Sequence, residues 1–151
     1  MSSITSKEWK FTKSVLPQHT DHAGVMWHGS YLNFLEESRI EALKKVGISY
    51  SDLSKKGFEI PVISVNINYK IPFFHGEKLL LISQFNLEKK IRLNCKSLFL
   101  KLNGDIGAEA IISLVVVRKT NESMKLVREL PAQIKNILLL LEEGPQNQLI
   151  E

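Results

Sequence analysis

The chain has 151 residues, 44% of them hydrophobic and 24% charged, the make-up of one ordinary globular domain with no room for a second. A net charge of +4 makes phosphate-bearing partners worth weighing, but the lysines come in short pairs, Lys44-Lys45, Lys55-Lys56 and Lys89-Lys90. With no basic stripe carrying interleaved aromatics, nucleic acid is not an expected partner.

Residues Met1 to Lys10 show no apolar signal core, and the longest unbroken apolar run, Ile137 to Leu141, is far too short to span a bilayer. Cys95 is alone and forms no internal disulfide. The expectation is a soluble, cytoplasmic protein with no membrane partner. There is no internal repeat, low-complexity segment or linker.

Trp9 to Leu16 alternates loosely and reads as a first strand ending near Pro17. From Ser30 onward Tyr31, Phe34, Leu35, Ser38, Ala42, Leu43 and Val46 recur at steps of three and four, one stripe of a helix that Gly47 stops. Such a helix of roughly seventeen residues is about 25 Å long and crosses a small domain. Ser49 to Lys56 reads as a short helical segment ended by Gly57.

Strand follows strand after that. Ile63, Val65, Ile67, Tyr69 and Ile71 alternate with Ser64, Asn66, Asn68 and Lys70, which predicts one buried and one polar face, with Pro72 ending the run. Leu79 to Leu87 is the next strand, turning through Glu88-Lys89-Lys90. In Ile91 to Leu102 the phase changes, with Ile91, Leu93 and Cys95 on one side but Leu98, Leu100 and Leu102 on the other, so a bulge near Lys96-Ser97 is expected.

Asn103-Gly104 is a hairpin signal. Ala108 to Arg118 is apolar on both faces, the pattern of an interior strand covered above and below. Pro131 opens a C-terminal helix with a stripe of Ile134, Ile137 or Leu138, and Leu141, and the tail from Gly144 is expected to fray. The order strand, long helix, four long strands, helix is α+β, one helix lying across an antiparallel sheet.

Chemistry concentrates in Asp21-His22-Ala23-Gly24-Val25-Met26-Trp27-His28-Gly29-Ser30-Tyr31, directly ahead of the long helix. The first helical turn has amides without an internal partner at the positive end of the macrodipole. Ser30 is placed to cap them; otherwise they are free to hold an oxygen that becomes negative during reaction. Gly29 would let a ligand carbonyl approach the backbone.

Asp21 lies upstream, suited either to an Asx turn or to acyl transfer as nucleophile or water-activating base. Met26 and Trp27 suit an apolar pocket wall or the core, and Tyr31 suits packing or chemistry. His19, His22 and His28, with His75 more distant, match no metal-ligand spacing, so no metal is expected. Lys55, Lys56, Lys70 and Arg92 are possible contacts for phosphates.

The pattern Asp21-x-x-Gly24-Val25-x-x-His28-x-x-Tyr31, supported by Tyr69-x-x-Pro72, resembles that of the hotdog-fold acyl-CoA thioesterases, in particular the 4-hydroxybenzoyl-CoA thioesterase group, over about Trp9 to Pro131. The resemblance implies a single hotdog domain over residues 1–151, an antiparallel sheet wrapped around one long central helix. It implies Asp21 as the catalytic carboxylate and backbone amides near His28 and Gly29 polarising the thioester carbonyl. Gly24, Met26, Trp27 and Tyr31 are then the candidate substrate contacts, with His28 contributing its side chain or only its backbone.

Some hotdog enzymes use a helix glutamate, which makes Glu36 and Glu37 secondary candidates. The implied substrate is an acyl-CoA or acyl-carrier-protein thioester, with no cofactor beyond the substrate's coenzyme A, and the implied assembly a homodimer or homotetramer with sites at the interface. A hotdog hydratase or dehydratase and a non-catalytic acyl-thioester-binding module are the competing functions.

Overall fold

The helical stripe and the alternating segments form the expected layers in the computed structural model, which describes residues 7–89 and 91–145. Strand β1 (Trp9–Ser14) leads through a 3₁₀ turn at Pro17–His19 to helix α1 (His28–Lys45) and the short α2 (Tyr50–Lys55). Then come β2 (Phe58–Glu59), β3 (Val62–Tyr69), β4 (Lys78–Glu88), β5 (Arg92–Leu100), β6 (Ile106–Val115), β7 (Val117–Lys119), β8 (Met124–Leu126) and α3 (Ala132–Glu143). Five strands make one antiparallel sheet in the order β1-β4-β5-β6-β3, and β2-β7-β8 form a second, small sheet.

The inner face of the large sheet presents Leu79, Leu81, Phe85, Leu93, Cys95, Phe99, Ala108, Ala110, Ile112 and Leu114, all buried in one core with Tyr31, Phe34, Leu35, Ala42 and Leu43 of α1. The sheet is thus wrapped around one long helix, with α3 closing the core through Ile134, Leu138 and Leu141. The Trp9 indole nitrogen ties α3 to β1 by donating to the Leu141 carbonyl at 2.8 Å. Among the described residues no helix is long and apolar enough to cross a membrane.

The glycine stops and the Asn103-Gly104 turn hold where they are expected, and α2 gains a cap that the sequence reading does not include. Gly47 (φ 95°) and Gly57 (φ 85°) take the left-handed conformation after the two helices, where a side chain would be strained. Ser49 caps α2, accepting from the Asp52 amide at 3.0 Å while Asp52 accepts from the Ser49 amide. Asn103-Gly104 lies in the turn joining β5 and β6, closed by the Lys101 amide donating to the Asp105 carbonyl.

Four expectations need correction. There is no bulge at Lys96-Ser97: β4 and β5 pair without a break from Leu80↔Leu100 to Glu88↔Arg92. Leu93, Cys95, Ser97 and Phe99 form one continuous buried face, and Ser97 belongs to it because its hydroxyl pairs with that of Ser83 at 2.7 Å. A buried serine accounts for the apparent change of phase. The one register shift on β5 lies at Phe99/Leu100, opposite β6.

The strand expected over Ala108 to Arg118 is two elements. β6 is interior, but it stops at Val115, and β7 crosses to the small sheet; the outer face of β6 is open, with Ile111 48% exposed. The apolar row of β3 is also uncovered, with Ile63 50% and Tyr69 52% exposed, because β3 is the free edge of the sheet. Finally, α1 begins at His28, two residues before Ser30, so Ser30 is not its cap. Lys90 of the expected turn and the tail beyond Pro145 lie outside the described residues.

The buried serine pair makes a stability prediction. Ser97→Ala strands the Ser83 hydroxyl and should cost about 1–3 kcal/mol, whereas Ser83→Ala/Ser97→Ala removes both partners and should recover part of that loss. Urea unfolding of the three proteins measures it, and a double variant at least as unstable as Ser97→Ala would contradict the pairing.

Candidate active site

The loop ahead of α1 is anchored by His19, a residue weighed in sequence only as a metal ligand. Its ring is buried edge-on against Phe34 at 4.8 Å, and its Nδ1 accepts from the Leu16 amide at 3.0 Å, which requires the neutral imidazole. Burial, then the nearby Lys13 ammonium, pull its pKa below the ordinary histidine value, against a smaller opposing effect of Glu37. Its carbonyl accepts both the Trp27 amide at 2.9 Å and the Ser30 hydroxyl at 2.8 Å.

Asp21 sits in a tight loop built around its own carboxylate. Its Oδ1 accepts from the Ala23 amide at 2.9 Å and the Val25 amide at 3.1 Å, and its own amide donates to the Val25 carbonyl at 2.8 Å. Gly24 makes the loop possible at φ 79°, in the left-handed region, and donates back to the Asp21 carbonyl. The Asx-type turn is therefore present, yet Asp21 is exposed and its Oδ2 has no partner among the described residues. Turn geometry and an available carboxylate oxygen coexist in one side chain.

The Ser30 hydroxyl is spent on His19, and the residue at the cap position of α1, Trp27, makes no side-chain capping bond. The Ser30 amide bonds the Trp27 carbonyl at 2.8 Å, whereas the His28 and Gly29 amides donate to no group among the described residues. Two donors thus stand open at the positive end of an eighteen-residue helix. Gly29 also leaves room for the indole of Trp27, which folds back over it; a methyl there would displace that half-exposed ring.

A cleft of about 330 Å³ lies beside these groups, lined by Asp21, Val25, Met26, Trp27, His28, Tyr31, Tyr69, Lys70, Ile71 and Pro72. Of the seven residues singled out in sequence, Asp21, Met26, Trp27, His28 and Tyr31 are brought together there. Gly24 and Gly29 shape the backbone beneath it and are not among its lining residues.

The far wall comes from the end of β3, where Tyr69 packs edge-on against Tyr31 at 4.9 Å. Tyr31 also meets Phe99 at 5.0 Å, and its hydroxyl is pushed up to about 12 by burial first, then by Tyr69 and Glu77. It stays protonated at any working pH, a ring and a donor but not a base.

Other weighed residues stand elsewhere. Glu37 pairs with Lys13 at 2.7 Å, and Lys70 at the cleft pairs with Glu109 at 3.2 Å. Lys55 and Lys56 line a different hollow, with Gly47, Ile48 and Gln133, and Arg92 lies on the outer sheet face. Among the described residues no three His, Cys, Asp or Glu side chains gather in a metal-sized group.

Sequence reading missed the segment after Pro72 that supports the Asp21 loop. The Met26 amide donates to the Phe73 carbonyl at 2.7 Å, the His75 amide to the Gly24 carbonyl at 3.0 Å, and Val25 bridges Phe74. The only available signal was that Tyr69-x-x-Pro72 belonged to the same pattern as the loop.

The model of the thioesterase-like superfamily matches residues 15–138. A protein of Synechocystis sp. provisionally named esterase sll0410 is 31% identical over 144 residues, 95% of this chain and 86% of that one. The long-chain acyl-CoA thioesterase FadM of Escherichia coli is 28% identical over 123 residues, 80% of this chain and 88% of that one.

Among solved structures, the 1,4-dihydroxy-2-naphthoyl-CoA thioesterase Slr0204 from Synechocystis superposes with TM-score 0.79 at 19% identity, over 87% of this chain and 96% of its own. SAV2348 from Staphylococcus aureus, solved in complex with CoA, gives 0.81 at 10% identity, over 97% and 91%. These two likenesses establish the fold.

The His19 anchor predicts an acid sensitivity. A histidine whose folded pKa is depressed contributes stability that is present above its ordinary value of about 6.5 and is lost as pH falls through the lower folded value. The urea midpoint should therefore drop as pH falls below about 6.5, and His19→Asn, which keeps an acceptor but no titrating ring, should flatten that part of the curve. An unchanged slope in the variant would assign the acid sensitivity to other groups.

Proposed function

The chain belongs to the thioesterase-like superfamily and is a hotdog-fold thioester hydrolase, and from that premise we propose that it hydrolyses acyl-CoA thioesters in the cleft between the Asp21–Tyr31 segment and the end of β3. The observation that carries the reading is a conjunction: two amides left open at the start of α1 and a carboxylate with one unoccupied oxygen line or border the same cleft. The thioester carbonyl oxygen docks on the amides of His28 and Gly29, where the helix dipole stabilises the charge that develops on it. Trp27, Met26 and Tyr31 supply the apolar and aromatic walls.

Asp21 then acts by one of two routes. As nucleophile, its free oxygen attacks the carbonyl carbon and the C–S bond breaks with CoA leaving as the thiolate; water then cleaves the mixed anhydride, which restores the Asp21 carboxylate and releases the acid, whose proton goes to the thiolate. As base, it takes a proton from water, whose oxygen forms the new C–O bond directly, and that proton passes to the departing sulfur. Both routes give a free acid and a thiol, and neither calls on a metal or a cofactor beyond the substrate's own CoA. The lone buried Cys95 is compatible with a reducing, cytoplasmic setting.

Two further points of the proposal concern assembly. The uncovered row Ile63, Val65 and Tyr69 on the free edge strand is the surface a second copy would cover, and Tyr69 also belongs to the cleft, so a homodimer would complete the site. A hollow of about 390 Å³ on the outer sheet face, lined by Ile82, Leu98 and Ile111 together with polar residues such as Asn66, Gln84 and Lys96, is where a homotetramer would pair again.

Asp21→Asn tests the reading cleanly, because an asparagine carbonyl still accepts from the Ala23 and Val25 amides and so preserves the loop. Thiol release from a panel of acyl-CoA donors should fall by about 10²–10⁴-fold with binding retained. Near-wild-type turnover by this variant would remove Asp21 from the chemistry. Saturable binding with no thiol release by the wild type would indicate a binding module, and hydration of an enoyl-CoA without thiol release a hydratase.

A further inference from the structure

Lys101 lies just past β5 and lines no part of the cleft, yet its side chain is only 14% exposed and its ammonium is the most fully engaged of the ion-paired lysines among the described residues. The Nζ donates to the Pro72 carbonyl at 2.8 Å and to Glu77 at 2.9 Å through Oε1 and 3.2 Å through Oε2. It also stands over the faces of Phe73 at 4.8 Å and Phe74 at 6.0 Å. An ammonium has three donors, and a carbonyl with both carboxylate oxygens uses them all.

Everything it holds belongs to the segment from Pro72 to Glu77. The Glu77 carboxylate closes that segment on itself by accepting from the Phe74 amide at 2.6 Å. Partial burial works against the charge on Glu77, but the Phe74 amide and Lys101 outweigh it and hold the carboxyl below its usual value. Phe73 is fully buried and lies over Gly107, where a methyl group would overlap its ring.

This clamped segment is the floor on which the Asp21 loop rests. Its Phe73 carbonyl takes the Met26 amide, its His75 amide reaches the Gly24 carbonyl, and Phe74 bridges Val25, whose own amide binds the Asp21 carboxylate. A path of short contacts thus runs from Lys101 to Asp21 although eighty positions separate them in sequence.

We propose that Lys101 is a positioning residue for thioester hydrolysis: by clamping residues 72–77 it sets where the Asp21 carboxylate stands relative to the open amides of α1. The inference rests on the catalytic reading of Asp21, and a misplacement of about 1 Å at a reacting group costs on the order of a hundredfold in rate.

The test is Lys101→Met, which keeps the length of the side chain and removes its donors, measured beside Lys101→Arg. In the methionine variant kcat should fall about ten- to a hundredfold, and arginine, whose fork can reach both Pro72 and Glu77, should restore most of it. Hydrogen exchange at the Ala23, Val25 and Met26 amides should quicken about tenfold or more in Lys101→Met while the β5–β6 amides of Cys95 and Ile112 keep their protection. A purely stabilising lysine would lower the thermal midpoint and leave both kcat and the loop amides unchanged, and that result overturns the proposal.

If Lys101→Met does not fold, Glu77→Gln removes the same ion pair while keeping an acceptor for Phe74, with the same two outcomes. If the wild type releases no thiol from any donor, the functional reading fails, whereas the exchange measurement still decides whether the clamp orders the Asp21 loop.

Discussion

The carbonyl oxygen of His19 receives two donors, the Trp27 amide at 2.9 Å and the Ser30 hydroxyl at 2.8 Å, and the character of the site follows from that sharing. A helix that starts after a polar residue is normally capped by it, which satisfies one of the first-turn amides and closes the end to any ligand. Here the cap position holds Trp27, whose indole offers no acceptor, and the Ser30 hydroxyl, already inside the first turn, points backward into the 3₁₀ turn. The helix keeps a rigid start while the amides of His28 and Gly29 remain open, and an open helix N-terminus is a standing site of positive potential.

The opposite charge is held ready by a different device. Asp21 spends one carboxylate oxygen on the backbone of its own loop and keeps the other, so the local turn orients the side chain without consuming it. That loop has little apolar area of its own to bury, and its stability is borrowed from segment 72–77, which rests in turn on Phe73 in the core. Site and core are connected through backbone hydrogen bonds, which transmit position more strictly than side-chain contacts because the donor and acceptor directions are fixed.

Much of this architecture was legible along the chain. The stripe of α1, the glycines that stop both helices, and the Asn103-Gly104 turn were all readable, since each is a rule about residues close along the chain. The misreadings were of another kind. Ser97 looked like a break in alternation because its partner, Ser83, lies fourteen residues away on the neighbouring strand. The three-residue strands β7 and β8 are too short to display any period, and the division of the last long strand at Val115 is made by pairing with β2 and not by a turn signal.

The sequence by itself determined the long central helix, most of the long strands and which residues could carry the chemistry, because periodicity, left-handed glycines and the density of polar and aromatic residues in 21–31 are local properties. Tertiary structure alone decided which groups are left free to act. Whether the Ser30 hydroxyl turns to His19, where the Asp21 loop is seated, and whether Lys101 faces water or Pro72 depend on segments that meet only in the folded chain. A hydrogen bond once made to one partner is unavailable to a ligand, and that allocation is settled only when the chain has folded.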